Sequence, residues 1–172
     1  IEAYSMYEEL VKCSDLLTQF GGHPMVAGLS LEEENVERFR RKLNEQSGLT
    51  EEDLVEKVTI DVPMPIHYIR KNLVQELSLL EPFGKGNEKP LFAQKNLWVS
   101  QMRVFGKNRN VVKMRLTDEN GYPMDGVYFG NGDEFAEEGR GKRKISIVYY
   151  PDINMYQGRE SLQVIIRHYQ FD

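Results

Sequence analysis

An α+β chain is predicted, helical in its first half and built of short strands in its second. Two observations predict it. Apolar residues keep helical spacing over two long stretches before Leu80, and from Leu97 onward they alternate one by one. Between these regimes, residues 81–90 crowd Gly, Pro, Asn and charge into ten positions, which marks a structured turn and a domain boundary.

In order, Leu10, Val11, Cys13, Leu16, Leu17 and Phe20 give an amphipathic helix from Met6 to Phe20. It runs into Gly21-Gly22-His23-Pro24, for which two readings compete. One is a helix C-cap, with a glycine at positive φ and Pro24 stopping the helix. The other is an amide-lined concavity that holds a phosphate, with His23 donating to one of its oxygens. Val26 to Leu29 then reads as a short buried strand. Ser30 and Glu33 have the spacing of a capping box, opening a second helix with Val36, Phe39 and Leu43 on its buried side. Its glutamates come first and Arg38, Arg40, Arg41 and Lys42 later, as the helix dipole favours, so that charge reads as a solvated face. Glu56 to Val62 alternates as a strand, and Pro63-Met64-Pro65 ends it. Ile66, Ile69, Leu73, Leu77 and Leu80 return to helical spacing in a helix expected to bridge two domains, with His67 on its surface.

The second half offers five strands: Leu97 to Phe105, Val112 to Leu116, Met124 to Phe129, Ile145 to Tyr149 and Leu162 to Ile166. One helical turn, Asp133 to Gly139, falls between the third and fourth. That is the plan of an OB-fold β-barrel, which binds oligonucleotides across strands 2 and 3 between two loops. The first candidate loop, 106–110, carries Lys107 and Arg109; the second, 152–159, carries Tyr156 and Arg159. Lys113 and Arg115 have the outward parity of the second strand. Arg103, Phe105, Tyr128 and Tyr150 add charge or stacking surface, and a cationic track with aromatic faces holds a single strand without reading its sequence. The competing reading makes Tyr128, Tyr149 and Tyr150 core or rim packing. The basic run Arg140 to Lys144 reads either as a further contact or as a solvated strand entry.

Net charge is −5 over 172 residues, which weighs against a nucleic-acid partner until it is divided. Residues 1–57 hold 6 Lys/Arg and 13 Asp/Glu, whereas residues 96–172 hold 11 and 10. The acidic excess belongs to the first segment, and binding depends on local potential. The lone Cys13 excludes an intrachain disulfide and a cysteine zinc cluster, and it sits in an apolar pattern as a small buried hydrophobe. A reducing cytoplasm fits. No apolar run approaches the ~20 residues of a membrane span. No secretory signal is visible at Ile1, and the start without methionine leads us to expect a fragment.

Leu16 to Leu31, with Glu34-Asn35 and Phe39 following, resembles the Gly-Gly-His motif of the DHHA1 domain, in the version found in RecJ-type single-strand-specific DNA exonucleases. Leu79 to Asn87 with Pro90-Leu91-Phe92 is similar to that family's junction into its OB domain. Gln157 to Gln163 resembles its last hairpin. The resemblance implies the end of a DHHA1 domain (1–57), a connecting strand and helix (58–89) and an OB domain (90–172). It further implies that Gly21, Gly22 and His23 contact substrate phosphate, while the barrel holds single-stranded DNA. The parent would be a 5′→3′ exonuclease of DNA repair and recombination. Its Mn or Mg ions would lie in a separate DHH domain, so this segment is expected to bind no cofactor and to be inactive alone. A single-strand-binding protein or a helicase is the protein partner such a parent suggests. A phosphodiesterase for short oligonucleotides and a non-catalytic OB module are the alternatives.

Overall fold

A computed structural model of the chain describes residues 3–55 and 57–172. They form two compact units, Ile1–Val58 and Thr59–Asp172, so residues 59–89 group with the strands that follow them.

In the first unit, helix α1 (Met6–Lys12) begins at Ser5, whose hydroxyl accepts from the Glu8 N–H at 3.3 Å. The expected run of helix to Phe20 stops early. After a 3₁₀ turn (Ser14–Leu16), the chain enters strand β1 (Gln19–His23), which pairs antiparallel with β2 (Val26–Ser30). Pairing wins because it satisfies the backbone of a glycine-rich segment that has poor helix propensity. Leu10, Cys13 and Leu16 make the buried side of this unit. Ser30 pairs with Gln19 as the last residue of β2 and caps nothing, so the expected capping box is absent there. Helix α2 (Val36–Gln46) instead follows a 3₁₀ turn (Glu33–Asn35), and its last residue, Gln46, donates to the Glu9 carbonyl at 3.0 Å. A capping pair does open α3 (Glu51–Leu54), where the Asp53 carboxylate accepts from the Thr50 N–H at 2.8 Å.

In the second unit, the strand expected over 56–62 shrinks to β3 (Val62–Pro63), parallel to Phe92-Ala93; Glu56 lies outside the described residues. The helix expected from Ile66 splits into a 3₁₀ turn (Ile66–Tyr68) and α4 (Lys71–Ser78). The split has a cause in the sheet. The Ile66 N–H donates to Gln94 Oε1 at 2.7 Å, the buried Tyr149 hydroxyl donates to the Met64 carbonyl at 2.7 Å, and Ile66 and Ile69 both sink into the core. His67, expected on a helix surface, sits in that turn with Nδ1 2.7 Å from Asp118 Oδ2.

The main strands are β4 (Phe92–Phe105), β5 (Val111–Thr117), β6 (Pro123–Phe129), β7 (Lys144–Tyr156) and β8 (Arg159–Phe171). Their order is β4-β5-β6-β8-β7, and β7 pairs in turn with β4, so the ladder of pairings returns to its first strand. β4 can serve both neighbours because it bends. Its first half pairs with β7 and its second with β5, with register shifts after Gln94 and after Ser100. Asn96 and Gln101, in those shifts, have φ of 59° and 52°. Helix α5 (Gly132–Glu138), capped by Asn131, drives Phe135 into an aromatic cluster with Tyr128, Tyr169 and Phe171. The fold is α+β with an OB-like, sheet-rich second unit, as the alternation predicts.

Candidate nucleic-acid interface

Period-2 alternation sends every second residue of β4, β5 and β6 away from the core, and the register sorts these into rows. Phe105, Val111 and Phe129 make one row, with Phe105 and Phe129 44% and 60% exposed. Arg103, Lys113 and Val127 make the next. Arg115 and Asp125 make a third, joined by an ion pair of 2.5 Å. Phe105, Arg103, Lys113, Val127, Arg115 and Asp125, together with Gln101, Asn154, Ser161 and Gln163, bound a groove of about 280 Å³ running across the strands, and Phe129 lies beyond its end in the row of Phe105. Lys113 and Arg115 face the groove with the outward parity of their strand, and the bulge between Ser100 and Arg103 turns Arg103 and Phe105, which share the parity of the buried Leu97, onto the same face.

The second expected loop is not a loop. Residues 152–159 are the far end of the β7–β8 hairpin, paired through Tyr156↔Arg159 and closed by a two-residue turn at Gln157-Gly158, both at positive φ. Asn154, Tyr156, Arg159, Ser161 and Gln163 alternate onto the face of this arm that continues the groove, and Tyr156 is 67% exposed. A rigid arm holds those side chains in place with less ordering cost than a loop.

Three expected contacts stand differently. Tyr128 pairs with the fully buried Val112 and turns inward, stacking on Phe135 at 4.8 Å, so it is a core residue. The parity of β6, read from its partner strand, rules it out of the groove. Arg109 is in the first loop as expected but gives its guanidinium to Asp133, with Nη2–Oδ1 at 2.6 Å; that pairing raises the pKa of Arg109 and lowers that of Asp133. Tyr150 lies under Lys89 Nζ, 4.1 Å from the ring centroid, in a separate hollow with Phe83. Lys107 stays exposed at the groove's end, and Arg103, Lys107, Lys113 and Arg159 have no carboxylate partner among the described residues. Sequence reasoning missed Phe129 and Gln101. Phe129 was legible as the last outward residue of its strand; Gln101 reaches the groove only through a bulge that alternation does not reveal.

Asp118 is the one buried charged residue among those described. Burial pushes its carboxyl up, but hydrogen bonds from the Tyr122 N–H and His67, with the Asn120 N–H, outweigh burial and hold it below the usual carboxylate range. It fastens the β5–β6 turn to the segment before α4.

In the first unit, Gly21, Gly22 and His23 form the end of β1 at the tip of its hairpin, and all three are exposed. The tip is a strand end rather than a helix cap. At Gly22, with φ 151°, a Cβ would meet the Val26 carbonyl oxygen at 2.3 Å. A Cβ on Gly21 meets nothing within 4 Å. The described residues contain no group of three His, Cys, Asp or Glu side chains that could hold a metal ion. No helix among them is long and apolar enough to cross a membrane.

The family model of the RecJ OB domain matches residues 60–168. The single-stranded-DNA-specific exonuclease RecJ of Bacillus subtilis (strain 168) is 36% identical over 171 residues, covering 97% of this chain and 21% of that protein. The protein of the same name from Escherichia coli (strain K12) is 32% identical over 154 residues, covering 88% and 26%. Among solved structures, RecJ from Thermus thermophilus in complex with Mg2+ matches with a TM-score of 0.79 at 23% identity, over 99% of this chain and 26% of that one. The chain thus spans about a fifth to a quarter of the length of the relatives it matches.

Proposed function

Since this chain belongs to the RecJ OB domain family, we propose that its second unit is the single-strand-holding part of a 5′→3′ single-stranded-DNA exonuclease serving repair and recombination. The groove carries the proposal: Arg103 and Lys113, without carboxylate partners among the described residues, line it with exposed Phe105 and with Asn154, Ser161 and Gln163 of the arm that ends in Tyr156 and Arg159. Phosphates meet the cations, and unpaired bases meet the aromatic faces, which duplex DNA cannot offer. Gly21, Gly22 and His23 would meet substrate phosphate from their hairpin tip, and hydrolysis would fall to Mn or Mg ions held by residues outside this chain. A single-strand-binding protein or helicase would supply the strand.

Titrating a labelled oligo-dT against the chain at two salt concentrations tests this, since phosphate contacts weaken as salt rises. Lys113→Ala and Arg103→Ala are expected to weaken binding about fivefold each and to lower the salt slope by about 0.7. Arg109→Ala, already neutralised by Asp133, is expected to change affinity less than about twofold. Equal binding of duplex and single strand, or indifference to Lys113→Ala, refutes the assignment.

A further inference from the structure

The basic run at residues 140–144, which the groove does not use, surrounds the chain's single tryptophan. Trp98 sits where β4 passes from one neighbour to the other, paired with Lys144 of β7 on one side and Thr117 of β5 on the other. Its outward ring is 46% exposed, and Lys144 Nζ lies 4.7 Å from the ring centroid. Lys142 and Arg143, which lead into Lys144, are exposed, and the Arg143 carbonyl accepts from the N–H of Val99, next to Trp98, at 2.9 Å. The carboxylates nearby are few. Glu137 pairs with Arg140 at 2.6 Å, and the Asp172 backbone N–H donates to the Lys144 carbonyl, placing its side chain beside the patch. Lys142, Arg143 and Lys144 have no carboxylate partner among the described residues. Three residues of strand, at most about 10 Å, separate Trp98 from Gln101 at the groove's edge.

We propose that Trp98, Lys142, Arg143 and Lys144 form a second single-strand contact, outside the groove, where the polymer continues after crossing β4. This rests on the groove reading above. An indole offers flat faces to an unpaired base; Lys144 already lies over one of them, so a base stacking there displaces the ammonium, which is then free to meet a phosphate of the same strand. An acidic peptide would satisfy the cations but leave the indole's stacking face unused, so the nucleic acid fits better.

Two readouts on the whole 172-residue chain separate the sites. Anisotropy of a labelled oligo-dT reports binding anywhere, whereas intrinsic fluorescence reports this patch alone, because Trp98 is the only tryptophan. An oligomer of about 16 nucleotides is expected to quench Trp98 on binding. The double variant Lys142→Glu/Arg143→Glu, both exposed, is expected to bind that oligomer about tenfold more weakly, with a salt slope lower by about 1 to 2, and to bind one of about 5 nucleotides as before. Anisotropy change without quenching, or a double variant that binds both lengths normally, overturns the second contact and leaves the groove reading standing. No anisotropy change at all removes both. Quenching by a polyglutamate peptide but not by DNA overturns it too and gives the patch to an acidic protein.

Discussion

Replacing Gly22 by alanine tests why two glycines stand together in the first unit. At Gly22 the new methyl would lie 2.3 Å from the Val26 carbonyl oxygen and 2.5 Å from the Ala27 Cα, both backbone atoms that cannot swing aside. Positive φ adds about 1–2 kcal/mol for any L side chain, and overpacking adds about 1–3 kcal/mol. The hairpin should lose about 2–5 kcal/mol, less whatever the strands recover by parting. Two compact units make global unfolding a poor measure, so amide hydrogen exchange within β1 and β2 is the assay. At about 1.4 kcal/mol per decade, exchange of the paired amides should accelerate at least about 30-fold. Gly21→Ala, with open space at its Cβ, should leave exchange within about threefold, the effect of a surface substitution. Equal acceleration by both variants would refute the steric account of Gly22. The pair also separates structure from function: any loss of phosphate contact in Gly21→Ala cannot be charged to a broken hairpin.

The second unit yields two further expectations. Asp118→Ala strands the Asn120 and Tyr122 N–H groups and frees His67, and should cost about 2–3 kcal/mol in urea unfolding followed by Trp98 fluorescence. Because the native carboxyl titrates below its unfolded value near 3.9, its contribution is full above that pH and is lost as pH falls through the lower native value. The urea midpoints of parent and variant should therefore converge only in that acid range. Tyr149→Phe removes the hydroxyl that donates to the Met64 carbonyl and should cost about 1–2 kcal/mol by the same unfolding assay, with an unchanged dependence on denaturant; no loss would mean that the carbonyl finds another donor.

The second half of the chain was legible because period-2 alternation fixes both element and face. Lys113 and Arg115 fell where parity puts them, and the helical insert sits between β6 and β7 as expected; Arg103 and Phe105 reach the same face only because β4 bulges after Ser100. The failures are tertiary in origin. Leu17 and Phe20 keep helical spacing with Leu10 and Cys13, yet the chain leaves the helix because a paired hairpin satisfies Gly21 and Gly22 better than a helix does. Ile66 and Ile69 keep helical spacing too, but the sheet claims the backbone around them through Gln94 and Tyr149. Ser30-Leu31-Glu32-Glu33 has the spacing of a capping box, but a strand had already taken Ser30, and such local signals yield to long-range pairing. Tyr128 misled because an aromatic on a binding strand reads the same whether it points in or out; its partner Val112 decides.

An acidic chain binding a polyanion looks contradictory only if charge is averaged. The first segment carries the whole excess, and the groove holds cations in two conditions. Arg115 and Arg109 already have carboxylates at 2.5 and 2.6 Å, while Arg103, Lys107, Lys113 and Arg159 have none among the described residues. Salt dependence counts the difference. Each phosphate neutralised on a single strand contributes about 0.7 to the slope of log affinity against log salt, so the four unpaired cations should give about −2.8 and all six about −4.2. A short oligo-dT confined to the groove should therefore fall near the smaller figure. A slope near −4.2 would mean that Asp125 and Asp133 surrender their arginines to the strand. In that case Asp133→Asn should leave affinity unchanged, whereas if Arg109 is held out of the site, freeing it should tighten binding and steepen the slope by about 0.7. A slope near zero would remove phosphate contact, and with it the case for this groove as the place where the strand lies.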